Sequence, residues 1–184
     1  MLISQSFYLI IDLEATCSDT TIVPRDEMEI IEIGALIQNA RTFEIESTFQ
    51  TFIHPVRHPI LTSFCTQLTT ITQSDLAAAP TFPEALAALT AWMVPFPDSI
   101  FCSWGEYDKA QFLQDCAHHH IPYPFGPNHL NLKNAFAAAM NKRKAPGVDA
   151  TLRFLGLPFQ GTPHRGLDDA QNIARIVRRL CTGM

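Results

Sequence analysis

The sequence contains few cysteines, and they are odd in number and scattered along the chain. No two of them have the CxxC spacing that is typical of zinc and redox motifs; the five are Cys17, Cys65, Cys102, Cys116 and Cys181. This pattern argues against a disulfide framework and against a zinc cage. It favours a reducing, cytoplasmic environment.

Long apolar runs and an excess of positive charge are also missing. No run reaches the roughly 18 apolar residues of a membrane span, and residues 1–5 do not begin a signal peptide, so we expect neither feature. The chain has 13 basic and 18 acidic residues, a net charge of −5. Proteins that grip long duplexes through many phosphates are usually basic. A nucleic-acid substrate would therefore be held over a short footprint, such as a strand end.

The composition that is present is that of a folded protein. Of the 184 residues, 47% are hydrophobic and 17% are charged, which excludes a disordered chain. This length suits one domain with its own core, and the sequence shows no repeat, low-complexity segment or linker. We therefore expect a single domain over residues 1–184.

Apolar runs and turn signals predict three strands at the start of the chain, followed by helices and one further strand. Strands are predicted at Phe7–Leu13, Glu29–Gln38, Glu46–His54 and Ser99–Ser103, and an irregular stretch begins at His54–Pro59. Short connections favour antiparallel pairing of the first three strands. Predicted helices follow a capping box at Thr81–Glu84 as far as Met93, then cover Tyr107–His119, Asn131–Met140, Gly147–Leu155 and Asp168–Leu180. This order predicts an α/β fold with a mixed sheet flanked by helices.

Two carboxylates stand one residue apart at the end of the first predicted strand. Asp12 and Glu14 follow the apolar run that starts at Phe7. Side chains on a strand alternate between faces, so both carboxylates point the same way. Two acids on one face of a buried strand are costly without a cation, and a divalent metal prefers such oxygen ligands. The alternative is a strand that runs into a solvated polar turn.

A further acid opens the helix that follows the fourth predicted strand. Asp108 shares a helical face with Phe112 and Cys116, which suggests that it points inward. An acid in a first helical turn also interacts favourably with the helix dipole, so a purely structural role remains open. Glu106 is a local competitor, and helical spacing favours Asp108 over it only slightly.

The segment from Pro163 to Leu180 holds a histidine and two adjacent aspartates at the start of the last predicted helix. From Asp169, steps of four, seven and eleven residues reach the apolar stripe of Ile173, Ile176 and Leu180. The same steps from Asp168 reach Asn172, Arg175 and Arg179, which predicts a solvated face. Asp169 should therefore face the protein and need a partner such as a metal. His164 precedes it by one loop and could exchange a proton near neutral pH, although an isolated loop histidine usually has no such role.

These motifs resemble the DEDDh branch of the 3′→5′ exonuclease superfamily. The matching segments are IDLEATC (Ile11–Cys17), EIIEIGA (Glu29–Ala35), FCTQLTTITQ (Phe64–Gln73), SWGEYDKAQF (Ser103–Phe112), NLK (Asn131–Lys133) and PHRGLDDAQNIARI (Pro163–Ile176). Within that superfamily the chain is most similar to the enhanced-RNAi and histone-mRNA 3′-end exonucleases. The resemblance spans essentially the whole chain and implies an RNase H-like fold with five strands.

The resemblance also implies a chemistry and a set of site residues. Asp12, Glu14, Asp108 and Asp169 match the four family acids that hold two Mg²⁺ or Mn²⁺ ions, His164 matches the general base, and Glu14 is counted as catalytic as well. The implied product is a nucleoside 5′-monophosphate released from a single-stranded 3′ end. By the same resemblance Phe64 and Tyr107 stack on the terminal base, while Leu68 and Thr69 lie near the 3′ nucleotide; family members often carry Gly in place of Thr70 and Trp in place of Tyr107.

Other functions stay open at this point. The site chemistry serves RNA and DNA equally, so a single-stranded DNA trimming or proofreading nuclease is one alternative. A catalytically weak module that binds RNA ends is another, although such a module has no need of four acids and a histidine. Aromatic residues near the motifs, including Trp104, more often pack in a core than stack on bases. The sequence does not identify any protein partner.

Overall fold

A mixed five-stranded sheet runs through the structure, a computed structural model that describes residues 4–183. The strands are β1 (Phe7–Ala15), β2 (Ile30–Asn39), β3 (Ile45–Phe52), β4 (Ser99–Ser103) and β5 (His129–Asn131). Their order across the sheet is β3-β2-β1-β4-β5. The three N-terminal strands pair antiparallel, whereas β1, β4 and β5 pair parallel. The predicted α/β fold, RNase H-like with a five-stranded mixed sheet, is confirmed.

Seven α-helices and one short 3₁₀ helix (Arg25–Glu27) are present in the described part of the chain. The bounds of the α-helices are α1 (Ser63–Thr69), α2 (Gln73–Leu76), α3 (Phe82–Met93), α4 (Tyr107–His118), α5 (Leu132–Ala139), α6 (Val148–Phe154) and α7 (Gly166–Cys181). The predicted capping box is confirmed, because the Thr81 amide donates to Glu84 Oε2 at 2.8 Å. None of these helices is both long and apolar enough to cross a membrane.

Alternation along β1 places a hydrophobic core on each face of the sheet. Leu9, Ile11 and Leu13 pack with the apolar residues of α3 and α4. Tyr8 and Ile10 pack on the opposite face with Ala170, Ile173, Ala174 and Val177 of α7. Because side chains on a strand alternate, even-numbered residues of β1 face α7. Asp12 and Glu14 continue this even-numbered row toward the start of α7.

The structure differs from the sequence prediction in the bounds of several elements, for example β1, which ends at Ala15, and β3, which ends at Phe52, and in the features that follow. The stretch after Pro59, predicted to be irregular, contains α1 and α2, and β5 had not been located. Helix α7 begins at Gly166, two residues before the predicted start. The face predicted to be solvated is partly buried, since Asn172 is fully buried. Its side-chain amide accepts from the Gln160 amide at 3.1 Å and donates to the Gln160 carbonyl at 2.7 Å, so the preceding loop covers it.

Helix α1 is defined by its caps rather than by a long apolar stripe. The Thr62 hydroxyl accepts a hydrogen bond from the Cys65 amide at 3.0 Å, which caps the first turn. Thr70 ends the helix with a left-handed φ of 62°. A β-branched residue such as threonine is disfavoured in this conformation, whereas glycine adopts it readily.

Helix α7 approaches β2 so closely that the two main chains touch. A Cβ atom on Gly34 would lie 1.9 Å from the carbonyl carbon of Gly166. We expect Gly34→Ala to lower the free energy of unfolding by about 3 kcal/mol or more, because main chain cannot move aside as a side chain does. Chemical denaturation of Gly34→Ala measures this loss. Gly126→Ala is the matched control, since a Cβ on Gly126 meets no atom within 4 Å, and an equal loss in both variants would contradict the prediction.

Candidate active site

The two acids of β1 lie at the end of the strand that adjoins α7. In the pairing with β2, Asp12 is opposite Gly34 and Glu14 is opposite Glu32. Glu14 is buried, with 8% of its surface exposed, and Asp12 is partly buried. Both side chains line a cavity of about 640 Å³. The predicted common orientation of these two carboxylates is therefore what the structure shows.

The first turn of α7 brings a third carboxylate to the same point. Ligand oxygens of Asp12, Glu14 and Asp169 all lie within 4.8 Å of one another. The His164 amide donates to Asp169 Oδ2 at 2.8 Å and thereby fixes the loop before the helix. The neighbouring Asp168 does not line the cavity, and its carboxylate accepts from the Thr162 amide at 2.8 Å. Helical phase had indicated the same division between the two aspartates.

Asp108 contributes a fourth carboxylate from the first turn of α4. It is 4% exposed and lines the cavity, and its Oδ1 accepts from the Leu13 amide at 3.1 Å. It is not part of the close group of three oxygens. The competing acid, Glu106, is exposed and accepts from the Asn131 side chain at 2.7 Å, outside the cavity lining. The structure thus brings Asp108, and not Glu106, to the site.

Burial and mutual repulsion raise the pKa values of all four carboxyl groups. Burial, followed by the charge of Asp108, holds the pKa of Asp12 well above its usual range. Burial and the charge of Asp169 raise the pKa of Glu14 to about 8. Burial raises the pKa values of Asp108 and Asp169 to about 6 each. Without a cation, this cluster therefore holds protons at pH values where ordinary carboxyl groups have lost them.

The donor set of this cluster fits a divalent metal. Carboxylate oxygens are the ligands that Mg²⁺ and similar hard cations prefer. Among the described residues that line the cavity, Arg153 is the only arginine or lysine, and its guanidinium pairs with Asp149. Apart from His164, no basic side chain of the described lining is thus left to balance the four acids. A bound cation would offset their repulsion and favour their ionised forms.

The stability of the metal-free protein should fall as pH rises. The folded pKa values of Glu14, Asp108 and Asp169 exceed those of an unfolded chain, so the folded state binds more protons between about pH 5 and about pH 8. Their stabilising contribution is therefore complete at low pH and is lost as pH rises through about 6 and then about 8. Thermal unfolding in a metal chelator, repeated across this range, measures the decline.

Added divalent metal should reverse this decline. Cations bind the ionised carboxylates, so they should raise the unfolding temperature more at about pH 8 than at about pH 5.5. Asp115, outside the cavity, also has a pKa raised to about 6 by burial, and only the metal-dependent difference isolates the cluster. An unfolding temperature that responds to metal equally at both pH values would contradict the prediction.

His164 occupies the loop between the cavity and α7. It is exposed, lines the cavity, and has a left-handed φ of 60°. Few non-glycine residues adopt this backbone conformation, and those that do often belong to functional sites. The conformation is held by the hydrogen bond from the His164 amide to Asp169. The structure therefore brings the predicted base to the predicted acids.

The four predicted substrate-binding residues divide into two pairs. Leu68 and Tyr107 line the cavity, and the Arg25 guanidinium lies 4.2 Å from the centre of the Tyr107 ring. Phe64 is 36% exposed on α1 and does not line the cavity. Thr69 is fully buried, and its hydroxyl donates to the Cys65 carbonyl at 2.9 Å. The contacts of all four with a substrate stay predictions.

Sequence reasoning overlooked one wall of the cavity and one buried residue behind the site. One wall of the cavity is formed by α6 and the residue before it, including Gly147, Val148 and Arg153. Nothing in that short helix distinguishes it from an ordinary surface helix. The other omission is Glu32, a fully buried carboxylate within β2. A charged residue flanked by apolar strand residues is itself a signal, and it could have been found.

Comparisons with known proteins agree with this geometry. The model of the exonuclease family RNase_T matches residues 9–177. Human ERI1 exoribonuclease 3 is 37% identical over 182 residues, which cover 95% of this chain and 53% of that protein. Human 3′-5′ exoribonuclease 1 is 35% identical in an alignment of 186 positions, which covers 95% of this chain and 52% of that protein. The chain thus spans about half the length of the curated relatives that it matches.

A solved structure of one such nuclease extends the comparison to three dimensions. The nuclease domain of 3′hExo, a DEDDh family member bound to rAMP, matches with a TM-score of 0.89 and 32% identity, covering 100% of this chain and 96% of that one. DEDDh exonucleases depend on divalent metal, in keeping with the acidic cluster. The chain therefore belongs to the exonuclease family that includes the DEDDh nuclease 3′hExo and the ERI1 exoribonucleases.

Proposed function

We propose that this chain is a metal-dependent 3′→5′ exonuclease that removes nucleoside 5′-monophosphates from single-stranded RNA. The observation that carries the proposal is the convergence of three carboxylates, from Asp12, Glu14 and Asp169, within 4.8 Å in a cavity that His164 also lines. The names of the relatives support the direction and the substrate: they are exoribonucleases, one of them 3′-5′, and a related nuclease domain was solved with rAMP.

Four carboxylates would hold the metal. We assign Asp12, Glu14 and Asp169 as the central ligands, with Asp108 as the fourth, and two Mg²⁺ or Mn²⁺ ions as the cofactors. When bound, such ions stabilise negative charge on the attacked phosphate and on the leaving 3′-oxygen. The raised pKa of Glu14, about 8, supports the assignment, because a site built of repelling carboxylates requires cations to ionise.

The protein's own residues would handle the proton and the water. His164 is assigned as the general base: its exposed side chain borders the cavity and its position is fixed through the Asp169 carboxylate. Glu14 is assigned to orient the attacking water, because its carboxylate lies beside that of Asp169. Attack by this water on the last phosphodiester then breaks the phosphorus bond to the 3′-oxygen, which stays on the shortened strand, and releases a nucleoside 5′-monophosphate.

The terminal nucleotide would lie against Tyr107 and Leu68. Any nucleobase can stack on an aromatic ring, whatever the sequence of the strand. Tyr107 lines the cavity, and the Arg25 guanidinium lies 4.2 Å from the centre of its ring. Phe64 and Thr69 belong to α1, the helix that carries Leu68, and we assign that helix to the 3′ nucleotide. The net charge of −5 supports a short footprint at a strand end.

We further propose that residues 1–184 act as one catalytic domain in a reducing compartment such as the cytosol. A single sheet with a core on each face supports one domain. Of the five cysteines, all of which lie within the described residues, none forms a disulfide. A relative described as a 3′-exonuclease recognises a histone mRNA stem-loop; for this chain we propose single-stranded ends, and we name no protein partner.

A side-by-side digestion tests the proposed function. Matched RNA and DNA oligomers, labelled at the 5′ end and offered single-stranded or as duplexes, are incubated with Mg²⁺ or Mn²⁺ and compared with a chelator control. We expect a ladder that shortens from the 3′ end of single-stranded RNA, with release of nucleoside 5′-monophosphates. Faster shortening of DNA would indicate a DNA-trimming nuclease. Binding of RNA without shortening would indicate an RNA-end-binding module.

A further inference from the structure

Glu32 is a charged side chain in the interior of the sheet. It lies in β2 between Ile31 and Ile33, opposite Glu14, and all three of the β2 residues are fully buried. A carboxylate removed from water is costly unless it is paired and hydrogen-bonded. The site described above does not use this group, so its cost requires another explanation.

Both oxygens of Glu32 are occupied by residues that determine where α7 begins. Oε2 accepts from Arg165 Nε at 3.2 Å and from the Gly166 amide at 3.1 Å. Oε1 accepts from Arg165 Nη2 at 3.3 Å and from Gln50 Nε2 at 2.6 Å. Glu32 thus holds the side chain of one residue and the main chain of the next. Because the carboxylate contacts two nitrogens of the guanidinium, it fixes the orientation of the Arg165 side chain as well as its distance from β2.

Arg165 stands between the proposed base and its supporting acid. His164 precedes it with a left-handed φ of 60°, and the Asp169 amide donates to the Arg165 carbonyl at 2.9 Å. The Arg165 guanidinium also lies 5.2 Å from the centre of the Phe52 ring. A loop with an unfavourable backbone conformation persists only when its surroundings restrain it. Besides the hydrogen bond from the His164 amide to Asp169, Glu32 supplies a second restraint, from the sheet.

We propose that Glu32 and Arg165 are positioning residues that hold His164 and Asp169 in register with the acids of β1. This inference rests on the proposed function, since it assigns roles relative to that site. The pair anchors the start of α7 to β2, next to the strand that carries Asp12 and Glu14. A small displacement of a general base lowers the rate by a large factor. A positioning role would therefore account for the buried ion pair between Glu32 and Arg165.

Arg165 does not serve as a phosphate-binding residue in this arrangement. Its side chain is 26% exposed but does not line the cavity. Two of its nitrogens already donate to Glu32. A positioning role predicts a change in kcat, whereas a phosphate contact predicts a change in KM.

The first test compares kcat and KM for a single-stranded RNA oligomer. We expect Arg165→Met and Glu32→Gln each to lower kcat about 10- to 100-fold with KM within about twofold of wild type. Arg165→Lys should restore only part of the rate, because an ammonium group lacks the guanidinium fork. Arg178→Met is the matched control: Arg178 lies on α7 and pairs with Glu44 at 3.2 Å, and its loss should leave kcat unchanged.

The second test needs no catalysis and therefore separates this inference from the proposed function. Hydrogen exchange on the metal-free protein measures the amides of His164 and Gly166, which donate to Asp169 and Glu32. We expect about tenfold faster exchange in Glu32→Gln and in Arg165→Met, and no change in Arg178→Met. Glu32→Gln preserves side-chain shape, so it remains informative if Arg165→Met fails to fold.

Three results would overturn the inference. Unchanged exchange at His164 and Gly166 in both variants would show that the pair does not restrain the loop. An increase in KM with kcat unchanged would make Arg165 a substrate-binding residue instead. A wild-type kcat in Glu32→Gln would show that the Glu32 carboxylate has no positioning role. If wild type proves inactive on RNA, the proposed function fails while the exchange result still decides the positioning role.

Discussion

Asp12→Asn should reduce kcat about a thousandfold or more and, at the same time, make the metal-free protein more stable. Asp12 is one of three carboxylates whose oxygens converge, so its loss removes a ligand at the centre of the proposed metal site. Its pKa is raised by burial and then by the charges of Asp108, Asp169 and Glu14. In the metal-free folded state this buried carboxyl must either carry its charge among other acids or take up a proton, and asparagine avoids both costs.

The two effects of Asp12→Asn are measured on the same preparation. Activity is followed as 5′-monophosphate release with saturating metal, and stability as the unfolding temperature in a chelator. A gain of about 1 kcal/mol corresponds to about 2–4 °C for a chain of this size. Asp19→Asn is the control, because Asp19 is exposed and lies shortly after the same strand. Near-full metal-dependent activity in Asp12→Asn would refute the assignment of the site.

His164→Ala should reduce kcat about 10²- to 10⁴-fold while leaving divalent-metal affinity nearly unchanged. The histidine lines the cavity but is not one of the three converging ligands, so its loss removes proton transfer and leaves the carboxylates in place. Steady-state kinetics measure the first quantity and calorimetric titration with metal measures the second. The contrast with Asp12→Asn, which should weaken metal binding, separates the base from the ligands.

Backbone strain complicates His164→Ala, and a second variant resolves it. His164 has a φ of 60°, a conformation that asparagine tolerates better than alanine. His164→Asn should therefore lose the same activity with a smaller loss of stability. His120 offers a matched control, because it is also exposed with a left-handed φ of 54° and lies at the far end of α4. His164→Asn retaining wild-type kcat would exclude the histidine as the base.

Local periodicity was sufficient to predict the features that depend on a single strand or helix. Strand alternation placed Asp12 and Glu14 on one face, and helical phase chose Asp169 over Asp168. Asn172 shows where the same reasoning fails. A helical projection counts only the helix's own residues, whereas the burial of Asn172 comes from the main chain of Gln160, which folds over it.

Features that depend on distant residues could not be found in this way. The contact between Glu32 and Arg165 joins positions 133 residues apart in the sequence. Helix α1 has only seven residues and is defined by caps at Thr62 and Thr70, so no apolar repeat signals it. The choice between Glu106 and Asp108 required the structure. Glu106 accepts a hydrogen bond from Asn131 of β5, a contact that the sequence does not reveal.

The main-chain contact between Gly34 and Gly166 has a consequence for how such a molecule tolerates evolutionary change. A Cβ on Gly166 would also lie 2.9 Å from the Asp12 carbonyl oxygen, so peptide geometry, and not side-chain size, sets the spacing between a strand-borne acid and a helix-borne one. The 3′hExo nuclease domain shares this fold with a TM-score of 0.89 at 32% identity, so the fold as a whole accepts replacement at about two positions in three.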